Sequence, residues 1–167
     1  TRDVASRFHS KMGETFVLPE SQVSEGTMYV PGTDGSKMSK SKGNIINLFL
    51  PDKLLRKQIM SIQTDSTPLE EPKDPDTCNL FAIYKLVASP DEVAAMRENY
   101  TAGGYGYGHA KQALYELLIT RFKEEREKYN YYMENTDKIE EALQVGAEKA
   151  RVTARQVIQR VRVKLGY

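Results

Sequence analysis

Cysteine is nearly absent from this 167-residue chain, and the single residue, Cys78, excludes an internal disulfide framework and any cysteine-rich zinc or iron–sulfur site within it. A reducing, cytoplasmic setting is the natural expectation. Net charge is also nearly absent: 24 Lys and Arg against 23 Asp and Glu leave +1, so attraction to nucleic acid must come from local clusters. No apolar run reaches membrane-spanning length, no signal peptide opens the chain, and no membrane partner is expected. Internal repeats and low-complexity tracts are missing too. There is no initiator methionine. Thr1 leads straight into a helical pattern with Val4, Ala5, Phe8 and Met12 on one face, which reads as a chain entered in mid-domain.

What is present divides near residue 45. The opening helix stops at Gly13, and Phe16-Val17-Leu18 and Thr27-Met28-Tyr29-Val30 are strand-length apolar pieces, each followed by proline. A turn-rich stretch, Pro31 to Ser36, leads into a polar loop, Lys37 to Gly43. Beyond it the pattern is helical. Pro51 suits a first helical position ahead of Leu54, Leu55, Ile59 and Ile62. Residues 64–76, with three prolines and five acids, read as a solvated loop. A short helix is expected over about 77–88, and Ser89-Pro90-Asp91-Glu92 carries an N-cap for another. After the glycines of 103–108, two long helices are expected near 109–133 and 136–165, the last capped by Thr136. The expected fold is mainly α: residues 1–45 as the end of a Rossmann-like α/β domain, and 46–167 as a bundle of about five helices.

The most informative stretch is Lys37-Met38-Ser39-Lys40-Ser41-Lys42-Gly43. Lysines supply point charges, hydroxyls and backbone N–H groups supply hydrogen bonds, and the flanking Gly35 and Gly43 allow the loop to swing, so it suits a polyphosphate. A solvated basic loop is the bland alternative for such a composition. The string KMSKS itself arises by chance in a chain of this length at roughly one in ten thousand or rarer.

KMSKS is the second signature of class I aminoacyl-tRNA synthetases, and the rest of the chain resembles the bacterial tryptophanyl-tRNA synthetases among them. Thr1-Arg2-Asp3-Val4-Ala5 resembles their TRD helix, Thr64-Asp65-Ser66 and Pro72 to Asn79 their TDS and proline–aspartate loop, Gly104 to Lys111 the start of their penultimate long helix, and Gly146 to Arg162 their last helix. The resemblance covers the whole chain. It implies activation of tryptophan by ATP, carried with Mg2+ as the substrate complex and with no protein-bound metal, followed by transfer to tRNA(Trp). It implies a homodimeric parent enzyme. The first signature of the family, His-Ile-Gly-His-like, has no counterpart in residues 1–36, so the chain corresponds to the later half, expected to be inactive alone.

On this resemblance Lys37 and Lys40 are the catalytic candidates, approaching the pyrophosphate moiety. Ser39 and Ser41 are candidates for phosphate contact or for shaping the loop, Met38 for an apolar anchor and Lys42 for added field. Met28 is a candidate for meeting adenine through its backbone, with simple strand core as the alternative. In the last helix Ala150, Ala154, Val157, Val161 and Leu165 form an apolar stripe, and Arg151, Arg155 and Arg162 lie beside it. These arginines are tRNA-binding candidates, and cations near a helix C-terminus are equally a structural device. Tyr129, Tyr131, Tyr132 and Tyr167 fit either base stacking or core edges. Two other readings stay open: a tyrosyl-tRNA synthetase fragment, and a non-catalytic RNA- or protein-binding helical module.

Overall fold

The computed structural model describes residues 1–23 and 29–167. The strand expected over 27–30 therefore falls partly outside the described residues, and Met28 wholly so. The chain forms two compact units, Ser24–Asn130 and Thr1–Val23 with Tyr131–Tyr167. Neither ends at residue 45.

The larger unit is built on helices α2 (Asp52–Met60), α3 (Asn79–Val87), α4 (Pro90–Ala102) and α5 (Tyr107–Arg121). Its core follows from spacing. Leu55 and Ile59 on α2, Met96 and Tyr100 on α4, and Ala110, Leu114 and Leu118 on α5 each recur at four-residue intervals and are buried together with Ile62, Leu80, Phe81 and Ile83. α5 packs on both α2 and α3. Each fully buried Leu or Ile contributes about 1.5–3 kcal/mol. Ser89 starts α4 with the expected cap in its complete form. Glu92 N–H donates to Ser89 Oγ at 3.3 Å, Ser89 N–H donates to Glu92 Oε2 at 2.7 Å, and Pro90 occupies the first helical position. The same backbone N–H holds the Glu92 carboxyl below the usual carboxylate range.

The solvated-loop reading of 64–76 needs correction at Lys73 and Pro75, which are buried. Lys73 is buried, with Nζ donating to the carbonyls of Pro68 at 2.9 Å and Glu71 at 3.1 Å and lying 5.4 Å from the Tyr107 ring centroid. Asp65 accepts from Tyr107 Oη at 2.9 Å. The prolines and acids concealed a loop that curls around its own lysine.

The expected helix over 109–133 is two helices. α5 ends at Phe122 (φ −103°, ψ 22°) and α6 (Lys123–Glu134) starts at once, with neither proline nor glycine to announce the break. Beyond the break Arg126 donates to the carbonyls of Leu48 and Leu50 and pairs with Asp52 at 2.5 Å, while Tyr129 stacks on Phe49 at 4.5 Å. With the break, six α-helices follow residue 46 among the described residues.

The smaller unit holds α1 (Arg2–Met12) and the 30-residue α7 (Thr136–Leu165). α1 ends at Gly13, as expected. Phe16-Val17-Leu18 is irregular rather than a strand, and no strand forms among the described residues. With no neighbouring strand to pair with, the segment turns back on α1. Phe16 N–H donates to His9 Nε2 at 2.9 Å, and its ring meets Phe8 edge-on at 5.1 Å. Thr136 is already helical, and the N-cap position of α7 falls on Asn135, whose side chain makes no capping hydrogen bond and donates to Tyr131 O instead.

Candidate functional site: the lysine loop

The polar loop hangs from a tight turn. Gly32 N–H donates to Ser36 O at 2.7 Å, Pro31 and Lys37 form an isolated antiparallel bridge, and Met38 N–H donates to Val30 O at 2.9 Å. The turn reverses at Gly35 (φ +79°), whose left-handed backbone favours glycine. Asp34 stabilises it from inside, accepting from the Ser36 N–H and hydroxyl at 3.0 Å each. The turn is tied to the helical layer at two points: Gln63 N–H donates to Thr33 O at 2.8 Å, and Asn79 Nδ2 to Gly32 O at 3.0 Å.

From Ser39, which is extended (φ −154°, ψ 138°), the chain makes one 3-10 turn over Lys40–Lys42 and closes at Gly43 (φ +69°), whose N–H donates to Lys40 O. Ser39 and Ser41 hydroxyls bond each other at 2.8 Å. The three lysines are not equivalent. Lys42 Nζ reaches back to Ser36 Oγ at 3.2 Å and so braces the base of the loop. Lys37 and Lys40 are exposed and pair with no carboxylate among the described residues. The loop thus presents two ammonium groups and a hydroxyl pair, the donor set a polyphosphate requires. Met38 is half-buried.

One member of this site was not singled out in the sequence. Asn44 is 3% exposed. Its Nδ2 donates to Asp34 Oδ1 at 2.7 Å and lies 3.1 Å from Ser36 Oγ and 3.2 Å from Lys37 O, while its Oδ1 accepts from Ser39 N–H at 2.8 Å. This hydrogen bond from Asn44 is the main cause holding the Asp34 carboxyl below the usual range, with those from Ser36 adding to it. The only signal in the sequence was a small amide directly after the positive-φ glycine that ends the loop.

The arginine candidates lie in the smaller unit. Arg151 is exposed and pairs with Glu148 at 3.1 Å, one helical turn away. Arg155 lines an open groove with Glu14, Phe16, Arg160 and Lys164, and Arg162 is exposed outside that lining. The three are therefore not brought to one pocket. Of the tyrosines, Tyr129 is occupied by Phe49, Tyr131 and Tyr132 meet edge-on at 5.3 Å, and Tyr167 is exposed. Among the described residues no group of three or more His, Cys, Asp or Glu side chains is placed to hold a metal ion, and no helix is long and apolar enough to cross a membrane.

Comparison with known proteins bears on the chain as a whole. A tryptophan–tRNA ligase of Campylobacter jejuni (strain RM1221) is 47% identical over 165 residues, which cover 99% of this chain and 52% of the relative. One from Rhodopirellula baltica is 46% identical over 165 residues, with the same coverage. Among solved structures, a tryptophanyl-tRNA synthetase from Campylobacter jejuni complexed with ADP and tryptophan superposes with a TM-score of 0.86 at 46% identity, covering 99% of this chain and 52% of that one. The chain thus spans about half the length of the curated relatives it matches. The family model for tRNA synthetases class I (W and Y) matches residues 1–123, and the chain belongs to that family.

Proposed function

We propose that the chain is part of a tryptophan–tRNA ligase and supplies its pyrophosphate-stabilising loop and its tRNA-binding helices. The observation that carries this reading is the division of labour in the lysine loop: Lys42 is tied back to Ser36, while Lys37 and Lys40 point their charge at solvent. Similarity along 99% of the chain to tryptophan–tRNA ligases supplies the amino acid. In role, residues 1–45 belong to the catalytic domain and 46–167 to the anticodon-binding domain.

In this reaction a carboxylate oxygen of tryptophan attacks the α-phosphorus of Mg2+–ATP. The Pα–O bond to the β-phosphate breaks, and pyrophosphate leaves with the electron pair. The tRNA terminal hydroxyl then attacks the carbonyl of the adenylate and releases AMP. No covalent enzyme intermediate is required, so positioning and charge stabilisation carry the first step. Lys37 and Lys40 neutralise charge as it builds on the departing phosphates. Ser39 and Ser41, already paired, offer hydroxyls to phosphate oxygens, and the half-buried Met38 anchors the loop between the lysines. Met28 meets the adenine. Arg151, Arg155 and Arg162 track tRNA phosphates. The full-length enzyme is a cytoplasmic homodimer.

The test is pyrophosphate exchange into ATP by the full-length enzyme. Exchange that depends on tryptophan and not on tyrosine is expected. Lys40→Ala should slow adenylate formation about 10²–10³-fold, the scale of losing one preorganised charge-stabilising donor, with a smaller effect on ATP affinity. A slowing below about threefold in pre-steady-state measurement rules the role out.

A further inference from the structure

We propose that Asn44 is the positioning residue of the lysine loop: its single buried amide fixes the directions in which Lys37 and Lys40 leave the backbone. The proposal rests on the ligase reading for its catalytic consequence and on geometry alone for the clamp.

The amide sits where the two halves of the loop meet. Its Nδ2 side faces two groups that can only accept, the Asp34 carboxylate at 2.7 Å and Lys37 O at 3.2 Å, and Ser36 Oγ at 3.1 Å, whose own proton is directed to Asp34. Its Oδ1 side faces a donor, Ser39 N–H at 2.8 Å. The orientation of the amide is therefore determined by its surroundings, and no other neutral side chain of that length offers donors on one edge and an acceptor on the other. The two backbone groups it takes, Lys37 C=O and Ser39 N–H, flank Met38, and Ser39 is the residue from which the Lys40–Lys42 turn begins. The main chain of Asn44 adds a fifth contact, accepting from Thr33 N–H at 2.9 Å. Gly32 leaves the room for this: a Cβ there would fall 2.3 Å from Asn44 Nδ2. Burial sharpens the effect, because a buried amide cannot exchange these partners for water.

A loop whose chemistry is delivered by two flexible ammonium groups gains from a rigid root, since a displacement of about 1 Å at the reacting centre costs on the order of 10²-fold in rate. Asn44→Ala in the full-length enzyme should therefore lower kcat for adenylate formation by about 10–100-fold while KM for ATP moves less than about threefold. Asn44→Asp, of the same shape, replaces the donor edge with a carboxylate facing Asp34 and should be no better than alanine. Gly32→Ala displaces the amide without removing it and should give the same split between kcat and KM.

Two measurements separate positioning from a general structural role. In a background with both Lys37→Ala and Lys40→Ala, Asn44→Ala should cost less than about threefold, because both lysines through which it acts are already gone; fully additive losses overturn the proposal. Limited trypsin digestion reads the clamp without any activity. Cleavage after Lys37, Lys40 and Lys42 should rise about tenfold in Asn44→Ala and in Gly32→Ala relative to cleavage after Lys149, as local opening becomes cheaper. Unchanged cleavage in both variants overturns the clamp. A wild-type enzyme without amino-acid-dependent exchange, but with the trypsin difference intact, overturns the ligase reading and the catalytic consequence while leaving the clamp standing.

Discussion

The two units of this chain use the same helical vocabulary and reach different ends with it. In Ser24–Asn130, stripes on α2, α4 and α5 close on one another, and Leu55, Ile59 and Leu114 are fully excluded from solvent. In Thr1–Val23 with Tyr131–Tyr167 the only fully buried hydrophobic residue is Ala5, and none of the 30 residues of α7 is fully buried. On its apolar stripe Val157 and Val161 are only half-buried and Leu165 is 45% exposed, and Ile158 beside the stripe is 50% exposed. A helical period is thus a condition for burial and not a cause of it. The cause is a facing surface of matching shape, which the larger unit supplies from its own helices.

The largest expected effect tests that contrast directly. Leu114→Ala should lower unfolding free energy by about 2–5 kcal/mol, because transfer and cavity costs add in a filled core. Ile158→Ala should cost less than about 1 kcal/mol. Urea unfolding followed by circular dichroism reads both, and equal losses would break the contrast.

How much of this was legible in the sequence follows the same line. Local chemistry was readable: Gly13 ends α1, Ser89 with Glu92 makes a complete capping box, and the lysine loop lies between positive-φ glycines at 35 and 43. The α2 face was readable in part: Leu55, Ile59 and Ile62 are buried as their spacing suggests, whereas Leu54 is 48% exposed. Features decided by distant partners were not readable. The break at Phe122 has no local signal, because the contacts beyond it are made with residues 74 to 78 positions back for Arg126, at Leu48, Leu50 and Asp52, and with Phe49 for Tyr129. Lys73 looked solvated because nothing in a run of acids and prolines tells that three of its own carbonyls turn inward. Asn44 was missed for a related reason: its importance lies in four side-chain contacts spread over residues 34–39, and the residue type alone fits any turn.

A second, smaller effect sharpens the comparison at glycines. Gly103 follows α4 at φ +77°, and a Cβ there would fall 2.6 Å from the Glu70 main-chain oxygen. That oxygen belongs to the loop held by Lys73, whose own N–H donates to Tyr100 O at 2.7 Å. Gly103→Ala therefore combines an unfavourable backbone conformation with a clash against backbone, and should cost about 1–3 kcal/mol. Faster hydrogen exchange at Lys73 N–H is the local readout. Unaltered stability would mean that the 64–76 loop is not fastened to the end of α4.

Gly146 gives the smallest effect, and one of opposite sign. It lies inside α7 in ordinary helical conformation, and a Cβ there would meet nothing within 4 Å. Glycine at such a position loses more backbone freedom on folding than any other residue and gives no contact in return. Gly146→Ala should accordingly raise helix stability by about 0.5–1 kcal/mol, seen as a higher melting temperature of the 222 nm ellipticity. The sign carries the information. A gain means α7 is open on that side, as its exposed Leu143 and Val145 indicate. A loss would mean that a surface approaches the helix backbone closely at residue 146, since only close approach makes a missing methyl group worth keeping. The stripe on α7 would then have found the facing surface that the larger unit builds for itself, and the contrast between the two units would be one of partner rather than of packing.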